Sequence, residues 1–598
     1  MPDPSSRESR LVGLAGPEEL PVASQSSRWL RLDKQVLVLL LLPLVQWFVN
    51  PNWIFPPVGI DSWVYLGYQV DLPDHLRMFD GQYYGTRLTA LLPGWLVHQV
   101  FSGVTANGVL HLGLYYACVF SLYGTLRRVV SHRAAGMAAA LLGTHSHFMN
   151  TMGWDYVDSY GVTYFFLATW LLGTANRSAW WPLWIHLAGA ALAALAIANV
   201  VYAILLPFPF LVYLVENRIR KGHPLWLGVY FLLSSSLAFT LLLCCLNEAI
   251  TGRFWFFGPS IAWGQNFIAQ NPVNPWRLPA GEWLPNATWI ALPLIAAIGS
   301  IAVLISSRHE SWSAQSLERK IWPVQMLAVA AMFLFFEATG KLCPLQFSFY
   351  SSLLIPAAFL SLGVQFDRFS SVMGRPAFLA LGALSVAALF LGEVVELYLE
   401  SLFPVPLLVA PALVGLFGLL LLCLPRIWAA GFLAIVFCSG MLNAHGHFFS
   451  AIQYGIKNNM SEAAKNLDRN RQSLYEAVAK TNTAVRLAST HDEVWFWYDE
   501  KDLFSSAYKC VASTYNFGFR MIGTQFPTFN ETPSFVFDRF HKGGVNVVIL
   551  TQDPDAMEKG LAALKEAKVE ARPIGKKSIG KGLVQYELIM IHIPSKNP

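Results

Sequence analysis

The chain has 598 residues, of which 55% are hydrophobic and only 13% charged, with a mean hydropathy of +0.43. Soluble domains carry roughly 25% charged residues, so a soluble globular domain is excluded, and repeated apolar runs of about 17–22 residues predict a polytopic helical membrane protein. The net charge of +5 does not point to nucleic acid, because the Lys and Arg residues collect in short loops assigned to one side of the membrane.

Residues 1–30 are polar, rich in Ser and Pro, and read as a disordered cytoplasmic terminus without the layout of a signal peptide. About thirteen membrane segments follow, near 34–50, 108–126, 134–150, 159–174, 181–198, 200–215, 224–246, 287–305, 321–337, 346–364, 376–395, 402–424 and 427–443. The clusters Arg127/Arg128/Arg133, Arg218/Arg220/Lys221, Arg308/Arg319/Lys320 and Arg368/Arg375, with the single Arg177 and Arg426, fall on one side. With an internal N-terminus that side is cytoplasmic, and an odd number of spans puts the C-terminus outside. Five of the seven cysteines lie inside apolar runs and no disulfide framework is visible.

The outer face then receives loop 51–107, the turn Trp154 to Asp158, the loop Asn247 to Pro285 and the stretch Glu337 to Leu345. Loop 51–107 is too long for a simple connection. Its stretch Gly59 to Leu92 carries Asp61, Asp71, Asp74 and Asp80 among Trp63, Tyr65, Tyr68, Phe79, Tyr83 and Tyr84. Acids among aromatics outside a bilayer fit a site for a polar substrate. They equally fit an interfacial loop with solvated acids. The run Thr86 to Phe101, broken by Pro93 and Gly94, reads as an interfacial or re-entrant helix. Loop 247–285, with Trp255, Trp263, Trp276 and Trp283 and prolines at 259, 272, 275 and 279, reads either as an aromatic belt or as a flap over a substrate cavity.

From about residue 451 the composition changes. A polar helix near 457–483 precedes strands at Val494 to Asp499, Val545 to Thr551 and Val584 to Ile593, with a helix at Asp555 to Glu566 between them. This alternation predicts a small α/β domain over 451–598. The Gly/Lys-rich strings His541 to Gly544 and Gly575 to Gly582 read as turns, since neither opens a helix as a phosphate loop does.

Asp155 and Asp158 are three apart and share a helix face. Together with Asp61 they could hold a divalent cation through oxygen ligands, or one acid could act as general base towards an acceptor hydroxyl. Asp158 also suits a helix N-cap. His145 and His147, two apart, point to different sides and read as structural. Glu337 and Lys341 flank the outer end of the ninth segment, where a charge needs a reason. Lys341 and Arg87 each suit the phosphate of a lipid-linked donor, although Lys341 also fits snorkelling to the interface.

The order of these features resembles the GT-C glycosyltransferases, most closely the protein-O-mannosyltransferase-like branch (glycosyltransferase family 39) with its lipid A-decorating bacterial members. The residues that carry the likeness are Gly59-Ile60-Asp61 with Tyr65, Phe79-Asp80-Gly81-Gln82-Tyr83-Tyr84 followed by Pro93-Gly94, Trp154-Asp155-Tyr156-Val157-Asp158, and the segment containing Tyr350. The resemblance covers about residues 31–450. It implies a GT-C-like membrane domain with an extracytoplasmic α/β domain, and an inverting transfer of a sugar from a polyprenyl-phosphate donor to an acceptor hydroxyl on a lipid, glycan or protein. Asp61 would be the base, Asp155 and Asp158 ligands of a divalent cation (Mg or Mn), and Tyr65, Asp80, Tyr84, Arg87, Glu337, Lys341 and Tyr350 would surround the substrates. A bacterial inner membrane is the expected location. Two residues depart from the pattern. Ser62 stands where many members have a second acid, and Phe349 where an Arg is expected, which moves phosphate binding to Lys341 or Arg87. The alternative is a transporter or flippase for a lipid-linked or polar solute, disfavoured because the segments carry few central charges and show no internal repeat.

Overall fold

A computed structural model describes residues 34–49, 51–56, 60–145, 148–149, 152, 157–220, 222–270, 288–308, 314–340, 348–368, 470–488, 493–498, 521–522, 534–582 and 585–595. Helices occupy the first ten predicted membrane segments, while the last three, over 376–443, lie outside the described residues. Helix α1 is Lys34–Val49. Loop 51–107 folds into three short helices, α2 (Ile60–Val70), α3 (Leu72–Met78) and α4 (Leu88–Val100). Then come α5 (Gly103–Leu126), α6 (His132–Thr144), α7 (Val157–Ala175), α8 (Trp181–Ala198), α9 (Pro207–Arg220) and α10 (Leu225–Thr251). After α11 (Gly258–Gln270) the bundle continues with α12 (Thr288–Ser306), α13 (Ala314–Thr339) and α14 (355–368). Among the described residues, five stretches are long and apolar enough to cross a membrane: Gly103–Leu126, Trp181–Ala198, Val200–Arg220, Leu225–Thr251 and Ser316–Thr339.

Two sequence expectations change. Pro93 and Gly94 do not break their helix, because α4 runs through both. Pro93 stands in the second turn, and Gly94 is there for packing: a Cβ would lie 2.5 Å from Cγ of Gln69 on α2. Close approach of α2 and α4 therefore requires glycine at this position. The aromatic stretch in 247–285 is not all loop either. It extends α10 to Thr251, caps it with Gly252 in the left-handed region (φ +75°), and forms α11.

The arginines of the short loops are not merely solvated. Arg177, just beyond α7, pairs with Glu216 of α9 at 3.2 Å and with Glu318 of α13 at 3.1 Å, and Arg220 reaches Glu318 at 2.5 Å. Glu216 and Glu318 are buried, so these pairs tie three helix ends together. Removing one partner of such a pair leaves the other charge uncompensated. Asp158 lies in the first turn of α7, at its opposite end. At 1.5 Å per residue the helix is about 28 Å long, close to the thickness of a bilayer core.

In the C-terminal part, α15 (Arg471–Ala488) precedes β1 (Glu493–Tyr498), β2 (Met521–Ile522), α16 (Ser534–Phe540), β3 (Val545–Thr551), α17 (Ala556–Glu566), β4 (Arg572–Ile579) and β5 (Tyr586–Ile593). The five strands form one mixed sheet in the order β2-β1-β3-β5-β4, with β1 parallel to β2 and β3, and β5 antiparallel to both its neighbours. Strand β3 is buried throughout, as a central strand covered on both faces must be. Its Val545, Val547 and Ile549 pack with Val536, Phe540 and Leu564 of α16 and α17, while Val548 and Leu550 belong to the core that includes α15. The string Gly575 to Gly582 is thus not simply a turn, because its first half lies in β4. The polar helix is described only from Arg471, and 457–469 lie outside the described residues. Helix α15 docks on the membrane part: Tyr475 packs on Phe55 and Trp63 (ring centroids 5.3 and 6.4 Å) and its hydroxyl donates to the Gly103 carbonyl at 3.1 Å. Trp63 is two residues from Asp61 on α2, so α15 supports the back of the helix that carries it.

Candidate functional site

The site begins at the N-terminus of α2, where Asp61 sits in the first turn. A carboxylate is favoured there by the exposed N–H groups and the helix dipole. Gly81, at φ +81°, then lets the chain reverse after α3. The 3-10 turn Tyr83–Thr86 returns over α2, and Tyr84 Oη donates to Asp61 Oδ1 at 2.7 Å. Among the described residues Tyr84 is the only hydrogen-bond partner of Asp61, which leaves lone pairs on a half-buried carboxylate. The Tyr84 ring lies 4.1 Å from that of Tyr83 and edge-on to Tyr65 at 5.3 Å. Burial, then the charge of Asp61, holds the Tyr84 phenol far above the ordinary range, and the same two causes push Tyr83 up to about 12. Both hydroxyls therefore keep their protons, and Tyr84 remains a donor.

Arg87 follows the same turn and is only 4% exposed. Its guanidinium donates to Tyr65 Oη and lies over the Tyr65 and Tyr83 rings, 5.4 and 5.1 Å from their centroids. Such cation–π contacts stabilise a desolvated cation. The charge is within electrostatic reach of Asp158 and of Tyr350. Asp158 is 3% exposed, and its Oδ2 has no hydrogen-bond partner among the described residues, while Tyr202 Oη donates to its backbone carbonyl at 3.2 Å. Asp61, Tyr65, Tyr83, Tyr84 and Arg87 thus form one polar, tyrosine-walled cluster, with Asp158 and Tyr350 within electrostatic reach of its cation.

Other sequence candidates fall elsewhere. Asp80 lies beyond the turn and pairs with Arg253 at 2.9 Å. Glu337 is in the last turns of α13, a helix that packs on α12 and α9. Asp155, His147 and Lys341 lie outside the described residues. His145 is buried edge-on against Phe359 at 5.6 Å, a packing role. Of the three acids read as a possible cation site, Asp61 and Asp158 are described and Asp155 lies outside the described residues. Among the described residues no group of three or more His, Cys, Asp or Glu could hold a metal ion.

The roof of the cluster comes from loop 247–285, for which a flap over a substrate cavity was one of the two sequence readings. Helix α11 lies over the turn: Trp263 stacks on Tyr83 (5.2 Å, 16°) and on Phe267, Phe267 meets Tyr350 edge-on at 6.1 Å, and Ser260 hydrogen-bonds Thr86. The only signal for this was the density of aromatics in loop 247–285, which does not say what they cover.

No protein-family model and no curated protein matches the chain. Among solved structures it is similar to ArnT from Cupriavidus metallidurans bound to undecaprenyl phosphate, at 14% identity and a TM-score of 0.47 over 93% of this chain and 98% of that one. The apo state of the same protein gives 15% identity, a TM-score of 0.43 and the same coverage. The Archaeoglobus fulgidus oligosaccharyltransferase tethered with an acceptor peptide gives 13% identity and a TM-score of 0.40, covering 91% of this chain and 69% of that one.

Within the chain itself, the arrangement offers three chemical elements together. A carboxylate is oriented by a phenol, a buried cation is held by two rings, and aromatic walls limit water. Such walls strengthen every charge interaction inside.

Proposed function

We propose that this protein is an integral-membrane glycosyltransferase. It moves a sugar from a polyprenyl phosphate to an acceptor hydroxyl, at the end of the bundle that carries α2 to α4. The single observation that carries the reading is the joining of Asp61 to Arg87 through Tyr84 and Tyr65: a base and a cation on one short wall. In the reaction the free oxygen of Asp61 takes the proton of the acceptor hydroxyl. The acceptor oxygen attacks the anomeric carbon on the face opposite the phosphate, and the carbon–oxygen bond to phosphate breaks with its electron pair on the leaving group. The product is the inverted glycoside and a polyprenyl phosphate whose charge is met by Arg87. Lys341 would add to that charge, and Tyr350 and Asp158 would line the far side. The membrane helices let the long lipid stay in the bilayer while its head group enters the cluster.

The test is Asp61→Asn, which keeps the shape and the Tyr84 contact but not the base. Transfer should fall by about 10²–10⁴-fold, the usual contribution of a general base, with expression and thermal unfolding unchanged. Cells with this variant should accumulate a polyprenyl-phosphate sugar detectable by mass spectrometry of lipid extracts. Normal turnover by Asp61→Asn would remove Asp61 from the mechanism.

A further inference from the structure

We propose that a recess beside the cluster binds a sugar ring of the acceptor, so that the acceptor is a glycan; this rests on the glycosyltransferase reading above. The recess has about 390 Å3 of open space and lies between the end of α3 with its following turn and the junction of α10 with α11. Its walls are fixed on both sides. Arg77 Nε donates to the Ile250 carbonyl at 3.1 Å, pinning α3 to the end of α10, and Asn247 Nδ2 donates to the Arg253 carbonyl at 2.6 Å, setting the loop that follows.

The lining mixes two kinds of group. Asp80 and Arg253 meet at 2.9 Å with 36% and 63% of their side chains exposed, so both retain hydrogen-bonding capacity towards a ligand. Gln82 adds an exposed amide. Trp255 presents an indole that is 63% exposed, braced edge-on by Phe257 at 5.0 Å. A sugar ring has an apolar C–H face and a rim of hydroxyls that both donate and accept, and it fits an aromatic platform flanked by an acceptor and a donor. A phosphate would face the Asp80 carboxylate, an ammonium would face Arg253, and an acyl chain would desolvate the ion pair without replacing its hydrogen bonds. A neutral polyhydroxylated ring, whose hydroxyls both donate and accept, satisfies both partners while its C–H face covers the indole.

The recess and the cluster share one element. Tyr83 and Tyr84 of the 3-10 turn face Asp61 and Arg87, whereas Gly85 and Thr86 line the recess. A sugar held there lies across that turn from the base, the place of a neighbouring residue in an acceptor chain rather than of the reacting one. Asp80, set apart from the cluster, thereby acquires a role in acceptor choice.

The experiment uses the full-length protein in lipid nanodiscs. Methyl α-D-mannopyranoside, methyl β-D-glucopyranoside and lactose serve as probes, with N-acetylserine amide and inorganic phosphate for comparison, and saturation-transfer NMR as the readout. At least one glycoside should bind. Its affinity should fall by about fivefold or more in Trp255→Ala and in Asp80→Ala, as expected for losing one aromatic or one charged contact. Binding should persist in Asp61→Asn, so loss of transfer and loss of acceptor binding are read separately. Trp255 is largely exposed, so its replacement leaves the fold intact, and thermal unfolding checks this. Three results would overturn the proposal: no glycoside signal in the millimolar range, a signal that survives both substitutions, or quenching of Trp255 fluorescence by brominated lipid, which would make the indole a membrane anchor.

Discussion

Replacing Tyr84 by Phe removes one oxygen and leaves the ring against Tyr83 at 4.1 Å and Tyr65 at 5.3 Å. What is lost is the 2.7 Å hydrogen bond that orients Asp61. Hydrogen bonds to charged groups contribute about 1.5–3 kcal/mol. Asp61 is half-buried, so solvent competes for it and the lower end applies. About 1.5 kcal/mol corresponds to roughly a tenfold loss in rate if the bond is needed to hold the base in its reacting geometry. The expected result is therefore kcat lower by about tenfold with KM nearly unchanged, since a positioning residue acts on the transition state and not on substrate affinity. The assay is transfer by purified protein in proteoliposomes, supplied with the polyprenyl-phosphate sugar that accumulates when the gene is deleted. Combining Tyr84→Phe with Asp61→Asn should cost no more than Asp61→Asn alone, because Tyr84 acts only through Asp61. A kcat within about twofold of the wild type, or a loss that adds fully to that of Asp61→Asn, would refute the reasoning.

Arg87→Lys keeps the charge but not the flat fork that lies on Tyr65 and Tyr83, so transfer should fall by about tenfold while the protein still folds. Arg87→Ala should lower the melting temperature, because it removes a buried guanidinium that donates to Tyr65 and lies over the Tyr65 and Tyr83 rings; thermal unfolding in detergent distinguishes the two. In Gly94→Ala the new Cβ must displace Gln69, whose Cβ, Cγ and Cδ all lie within 2.9 Å of it, at a cost of about 1–3 kcal/mol; an unchanged melting temperature would contradict the close helix approach. The raised Tyr83 phenol gives a pH dependence with a definite sign. Its stabilising contribution is complete below the ordinary value of 10 and is lost as pH rises through about 12. Tyrosinate absorbance should therefore show a late-titrating phenol that disappears in Tyr83→Phe, and the early onset of that signal would count against burial.

Much of the bundle was legible before any coordinates. A run of about 20 apolar residues has few ways to satisfy its backbone other than a helix, and ten predicted segments carry helices where they are described. Asp61 and Arg87 were legible as candidates for a similar reason, since charges beside aromatics at a predicted interface require explanation. The arginines assigned to short loops also stood out, but their partners did not. Glu216 and Glu318 are isolated acids in sequence, and only packing of α9 against α13 makes them the centre of a buried network.

The site itself required the tertiary structure. Tyr84 is separated from Asp61 by 23 residues, and the bond between them depends on the reversal at Gly81. Trp263 reaches Tyr83 from 180 positions further along the chain, and Arg253 reaches Asp80 across a similar separation. Hydrophobic run length and helix period are local quantities, written in consecutive residues, so sequence alone determined where helices form and which short stretches are chemically unusual. Which acid meets which cation depends on helices closing over one another, and that is set by side-chain packing between segments far apart in the chain. Only the folded structure decided that Asp61 and Arg87 share a wall while Asp80 turns to a different one.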